Sequence, residues 1–214
     1  MGRVAVIAGA TGLVGSALLR RLLDDARYAE VRVLGRRRPA AVAGKVRFIE
    51  TDFTDLAAHA ATLAVDDVFC CLGTTIRAAG SQAAFERVDY HMVVDLARAA
   101  HQAGAKHFLV VSAVGASGHA AAFYSRVKGR MERAVRELPF AAVHIVRPSL
   151  LLGERAESRL GERAAQLISP LLSPLLRGPL AKYRAVPAED VAAALVVLAK
   201  SDATGAHMHH LPLK

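Results

Sequence analysis

The chain has no tryptophan and only two cysteines in 214 residues. Those two, Cys70 and Cys71, are adjacent within an apolar strand-like run, where neighbours point to opposite faces. They are poorly placed to share a zinc, and two cysteines make no disulfide framework. Both read as small buried hydrophobes of a protein from the reducing cytoplasm. Aromatics are 5% of the chain, and no helix-turn-helix, zinc-finger or RNA-recognition pattern occurs, so stacking on nucleic acid has little to work with. No run approaches the roughly 20 apolar residues of a membrane span. The first residues carry one basic side chain, no separate apolar core and no small-residue cleavage site, unlike a secretory signal. Acid is scarce as well, and the net charge is +9. The basic residues are mostly arginines scattered along helical stretches, with Arg36-Arg37-Arg38 the single run. A solvated basic surface around an anionic cofactor accounts for that balance better than nucleic acid does.

What is present begins at residues 3–15, RVAVIAGATGLVG. Val4 to Ala8 reads as a buried parallel strand, and Leu18, Leu19, Leu22 and Leu23 follow at helical spacing. Between them stand Gly9, Gly12 and Gly15, in the order a dinucleotide site requires. Gly9 permits the turn off the strand, Gly12 lets backbone approach a pyrophosphate, and Gly15 lets helix pack on strand. The helix start then aims its unpaired amides at the phosphates.

Strand and helix alternate from there, predicting an α/β fold: a Rossmann-type doubly wound parallel sheet with helices on both faces, strand order 3-2-1-4-5-6, and a small C-terminal lobe. The whole chain, 1–214, reads as a single domain. Expected strands are 30–34, 46–50, 67–72, 108–111 and 142–146, with an edge strand at 206–211. Expected helices are 12–25, 56–63, 85–103, 124–137 and 190–200, and 77–83 reads as a polar loop. Residues 153–182 combine leucines with arginines and glutamates and read as a helical lid over substrate or as a dimer face. Arg155 and Arg159 in that segment would meet an anionic substrate group or pair with neighbouring glutamates.

After the second strand a Rossmann site meets the adenosine ribose. An acid there favours NAD, and arginine accommodates the 2′-phosphate of NADP. This chain has Arg36 and Arg37 and no acid at that strand end, so NADP(H) is expected over NAD(H). Asp52 and Phe53 follow the third strand; Asp52 either contacts adenine or caps the next helix. Leu72, Gly73, Thr74 and Thr75 follow the fourth strand, where the cofactor crevice of such a sheet opens.

Ser112, Tyr124 and Lys128 form a second constellation. Tyr124 and Lys128 are four apart on one helix and share a face. A free tyrosine ionises near 10, and an ammonium beside it is expected to lower that value. Ser112 ends the fifth strand, where its hydroxyl can donate to a substrate carbonyl. Among the histidines, His207 and His209 share a strand face but lack an acid or cysteine to complete a metal site, so no metal is expected. His101, His107 and His144 read as structural or surface groups, and His119 as facing the cleft.

With these residues in view, the chain resembles the short-chain dehydrogenase/reductase family of the atypical extended kind, and within it the TIP30 (CC3)-like subfamily. The matching stretches are GATGLVG (9–15), VLGRR (33–37), CCLGTT (70–75), VDYHMVVDLARAA (88–100), VSAVGAS (111–117), FYSRVKG (123–129), VRPSLLLGERAESRLGE (146–162) and VPAEDVAAA (186–194). The resemblance implies catalytic roles for Ser112, Tyr124 and Lys128. It also implies cofactor contacts from Gly9, Thr11, Gly12, Leu13, Val14, Gly15, Arg36, Arg37, Asp52, Phe53, Leu72, Gly73, Thr74, Thr75, Lys128 and Pro148. Two departures stand out. Many members carry asparagine on the helix after strand four, where this chain has Val88-Asp89. The C-terminal lobe is far shorter than in sugar-nucleotide epimerases, which argues against a nucleotide-sugar substrate. The implied activity is oxidoreduction of a small carbonyl or alcohol; the amphipathic 153–182 segment leaves a homodimer as one expectation. The subfamily also includes regulators, so a NADP(H)-binding regulatory protein with little turnover is the alternative.

Overall fold

The computed structural model describes residues 2–40, 44–152 and 184–213. Residues 153–182, read above as a lid or dimer face, lie outside them, and so do Arg155 and Arg159. Seven strands form one parallel sheet: β1 (Arg3–Ala8), β2 (Tyr28–Gly35), β3 (Val46–Glu50), β4 (Asp67–Cys70), β5 (His107–Val111), β6 (Ala142–Arg147) and β9 (Gly205–His210). Their order is β3-β2-β1-β4-β5-β6-β9, the expected six-strand arrangement with the C-terminal strand added beside β6. A second, two-residue pairing joins β7 (Leu151–Leu152) to β8 (Val186–Pro187). The sequence gives no sign of it, because two residues carry no period.

Why the strands read as continuous apolar runs is visible in β1. Ala5 and Ile7 face one side of the sheet, Val6 and Ala8 the other, and all four are fully buried. On the Ile7 side, α1 (Leu13–Asp24) and the last helix, α7 (Ala188–Leu198), supply Leu18, Leu22, Val191 and Leu195. On the Val6 side, α5 (Met92–Gln102) and α6 (Phe123–Arg136) supply Val93, Leu96, Met131 and Val135. Each buried leucine contributes about 2 kcal/mol. The sheet is therefore anchored on both faces.

Several elements differ from the sequence reading. The stretch 56–63 is only a 3₁₀ turn at Ala57–His59 and one α turn, α2 (Ala60–Leu63). Alanines pack little there, and Leu63 is the residue buried. The expected loop at 77–83 holds α3 (Ile76–Ala79), capped by Thr75, and the start of α4 (Gln82–Glu86), capped by Ser81. The expected helix 85–103 is broken by a π-helical turn, Arg87–His91, between α4 and α5. The strand expected over 67–72 stops at Cys70.

Away from the carboxyl edge, Asp67 is fully buried at the start of β4. It accepts from Arg3 at 2.5 Å and from the Tyr28 hydroxyl at 2.7 Å, and lies 2.9 Å from His107 Nδ1. The buried charge is thus paired and bonded, a structural use of ionisable groups remote from the site.

Candidate functional site

The strand order reverses between β1 and β4, and the turns that leave these two strands face each other. Gly9 has φ +84°, and a Cβ on it would lie 2.5 Å from the Cys71 carbonyl oxygen. A Cβ on Gly15 would fall 2.1 Å from the Gly9 carbonyl oxygen, so helix α1 can rest on the turn only as glycine. Gly12 differs: a Cβ there would meet a single atom, at 3.4 Å. Its free side opens on a cavity of about 280 Å³. Gly12 caps α1 with no side-chain bond, leaving the first-turn amides to whatever enters.

That cavity is lined by Gly12, Leu13 and Val14 from the first turn, by Cys71 to Thr75 from the second, and by Asp89, Val111, Ser112, Tyr124, Lys128 and Ser149 to Leu151. The three residues singled out from spacing, Ser112, Tyr124 and Lys128, therefore share one cavity with the glycine turn. Local backbone explains how. Ser112 N–H donates to the Val146 carbonyl at 2.8 Å and Val114 N–H to the Pro148 carbonyl at 2.8 Å, pinning the loop after β5. Helix α6 then lies against that loop at Gly129, where a Cβ would be 2.2 Å from the Ser117 carbonyl carbon. Only glycine allows the approach, and it brings Lys128 and Tyr124 to the cavity.

Lys128 is 4% exposed, with Nζ 2.8 Å from Asp89 Oδ1. The other Asp89 oxygen accepts from Thr74 N–H at 2.8 Å. Burial lowers the lysine's affinity for its proton, but Asp89 and then Tyr124 outweigh it, and the net shift is upward. Tyr124 stacks obliquely on Phe85, ring centroids 5.4 Å apart. Its phenol is pushed above the ordinary value by burial, with Lys128 pulling down and Asp89 pushing up. This corrects the expectation of a lysine-lowered tyrosine: the ammonium's charge is already closed by Asp89, and burial prevails. Ser112 Oγ donates to Glu132 Oε1 at 2.5 Å, and Glu132 is held in turn by Arg147 through Nε at 2.9 Å and through Nη2.

Other expected contacts sit elsewhere. Gly9 and Gly15 shape the turn without lining the cavity, and Thr11 is exposed beside it. Arg36 and Arg37 are exposed after β2 and make no ion pair among the described residues. Asp52 accepts from Thr54 N–H at 2.9 Å and Thr54 Oγ1 at 2.6 Å, so it closes a local turn. Phe53, with φ +67°, is buried against Leu34 and Leu56 and borders a separate hollow with Arg87 and His91. Pro148 is buried and anchors the Val114 amide without lining the cavity. Cys70 is buried and its thiol pushed up to about 12 by desolvation, an unreactive state.

Sequence reasoning does not assign Glu132 or Ser149 to the site, and it finds Asp89 only as a departure from the family's asparagine. Glu132 had a signal: Tyr124, Lys128 and Glu132 stand at four-residue steps on one helix face.

The family described as NAD dependent epimerase/dehydratase matches residues 5–212. The chain is 37% identical over 176 residues to the protein named "Protein fmp52, mitochondrial" of Aspergillus fumigatus, covering 79% of this chain and 75% of that one. It is 38% identical over 164 residues to the Rattus norvegicus protein HTATIP2, covering 75% and 67%. Among solved structures it is similar to an oxidoreductase of the short-chain dehydrogenase/reductase family from Burkholderia thailandensis. That likeness has a TM-score of 0.71 and 25% identity, covering 97% of this chain and 90% of that one.

Proposed function

Because the chain belongs to the NAD dependent epimerase/dehydratase family, we propose that it is an NADP(H)-dependent oxidoreductase acting on a small carbonyl or alcohol. The observation that carries this reading is the convergence of Ser112, Tyr124 and Lys128 on the cavity walled by the Gly12 turn. When bound, a nicotinamide dinucleotide supplies or accepts the hydride. The α1 amides and the open side of Gly12 would hold its pyrophosphate. Arg36 and Arg37 would hold the 2′-phosphate, and Lys128 would hold the nicotinamide ribose. Ser112 and Tyr124 face the reacting oxygen. Tyr124 passes the proton, and Ser112 steadies developing negative charge.

A catalytically quiet NADP(H)-binding regulator is the second reading. The Ser112 hydroxyl supports it, since its proton is directed to Glu132. A cytoplasmic location belongs to the first reading and draws on the two free thiols; the fungal relative's name carries a mitochondrial label, and cell fractionation decides between them. The deciding experiment for function is NADPH consumption against a panel of small aldehydes and ketones, run beside a binding titration. Consumption that disappears in Tyr124→Phe while NADPH still binds supports the oxidoreductase. Tight NADPH binding with no carbonyl consumed supports the regulator, and no binding of either cofactor overturns both.

A further inference from the structure

Asp89 is a carboxylate where the sequence reading found only a departure, and its side chain is 1% exposed. The π-helical turn Arg87–His91 swings it inward. One oxygen stands 2.8 Å from Lys128 Nζ, and the other takes the Thr74 amide of the turn that lines the cavity. Among the described residues, the charged and titratable groups facing this cluster are few. From α6 come Tyr124 and Lys128, and from β4 comes the Cys70 thiol. Glu132 and Arg147 reach Ser112 but are closed on each other. Among the described residues, Asp89 is thus the one carboxylate that Lys128 and Tyr124 share.

We propose that Asp89 is the positioning residue that keeps Tyr124 protonated as a proton donor, closing the charge of Lys128 inside the site. The proposal rests on the oxidoreductase reading above. Its basis is a count of charge. Phenol, ammonium and carboxylate together are neutral. Loss of one proton from that buried set leaves a net negative charge away from water, which is costly. Without the carboxylate the set starts positive, and losing one proton makes it neutral, whichever of Tyr124 or Lys128 gives it up. The first proton loss then moves to lower pH. Burial and the Asp89 charge both act on the Tyr124 phenol in this upward sense. In the reduction, the Tyr124 O–H bond breaks and an O–H bond forms on the substrate oxygen. A bound reduced nicotinamide would supply the carbonyl carbon with a hydride and its electron pair, and the phenolate would regain its proton from water.

The test follows protons directly, without substrate or cofactor. The full chain is labelled with ¹³C at tyrosine rings and lysine side chains and titrated by NMR, with Tyr124→Phe and Lys128→Met assigning the signals. In the native chain, Tyr124 should remain phenolic beyond about pH 10, the ordinary tyrosine midpoint. In Asp89→Asn, the first proton loss from the pair should fall by about one pH unit or more. Asp89→Glu, which keeps the charge, should restore the native behaviour. A native Tyr124 that ionises below the ordinary midpoint overturns the proposal, and this arm needs no variant to fold. A folded Asp89→Asn chain with an unmoved midpoint overturns it too, as does an equal shift in Asp89→Glu. Where a carbonyl substrate is found, the alkaline limb of its reduction rate should move with the same shift. A chain that titrates as expected yet reduces no carbonyl overturns the oxidoreductase reading and leaves Asp89's hold on the proton standing.

Discussion

Arg36 and Arg37 are exposed beyond the end of β2 and bind no acid among the described residues. A guanidinium in that position can bridge two oxygens of a phosphate, which a lone hydroxyl cannot engage as strongly. Replacing Arg36 with alanine should therefore weaken NADPH by about 1.5–3 kcal/mol, the range of a charge-assisted bond, and leave NADH nearly unchanged. Calorimetric titration of both cofactors checks this, and equal losses for the two would place the 2′-phosphate elsewhere. At this scale the sequence was informative where chemistry coincided with spacing. Tyr124 and Lys128 announce a shared face by being four apart, and Ser112 announces itself by ending a strand. Glu132 continues the same ladder, but a carboxylate four residues past a lysine reads as a surface pair. Its burial to 3% follows from Arg147 arriving from β6, a contact no local pattern encodes. Asp52 stayed ambiguous for the opposite reason: its local bonds to Thr54 satisfy it without any ligand.

The glycine turn and α1 act as one element, and their glycines have separable duties. Gly15→Ala would drive a methyl to 2.1 Å from the Gly9 carbonyl oxygen, backbone that has no rotamer to move. It should destabilise the fold by about 3 kcal/mol or more. Gly12→Val faces open space except for one contact at 3.4 Å, and its extended backbone suits valine. It should fold with a urea midpoint close to native and yet bind no NADPH. Urea unfolding of both variants, followed by NADPH titration of whichever folds, separates packing from binding. Unchanged NADPH affinity in Gly12→Val would put the phosphates away from this turn. The turn was legible because three glycines between an apolar strand and an apolar helix leave few alternatives. The π turn at Arg87–His91 was not. Its extra residue shifts the helical phase by one position, and an apolar face read at a single period passes over such a shift. That shift is what carries Asp89 into the cavity.

Across the whole molecule, the order of strands was readable because apolar runs alternate with helical faces from β1 to α7. The position of β9 was harder to read, because its residues are half-exposed or exposed and it is defined by its neighbour. What it adds beside β6 is a set of imidazoles: His144 Nδ1 lies 3.1 Å from His209 Nε2, and the His207 ring stacks on His144 at 5.7 Å. His144 is 1% exposed. Burial first, and then His209 and His207, hold its pKa down to about 4, and His209 is lowered too. An unfolded chain takes up these protons near the ordinary value of about 6.5, before the folded chain does. Native stability from this cluster is thus fully present above that value and declines as pH falls toward 4. The loss amounts to about 3 kcal/mol for His144 once both states are protonated. Asp25, held at about 2 by Arg27, weakens the fold only at lower pH, below the usual carboxylate value, so the two windows separate. Thermal melts between about pH 7 and pH 5 should show the native chain losing stability steadily. His144→Gln, which cannot titrate, should give a visibly flatter curve over that interval. Parallel curves for the two chains would mean that the acid sensitivity of this edge of the sheet arises from other groups.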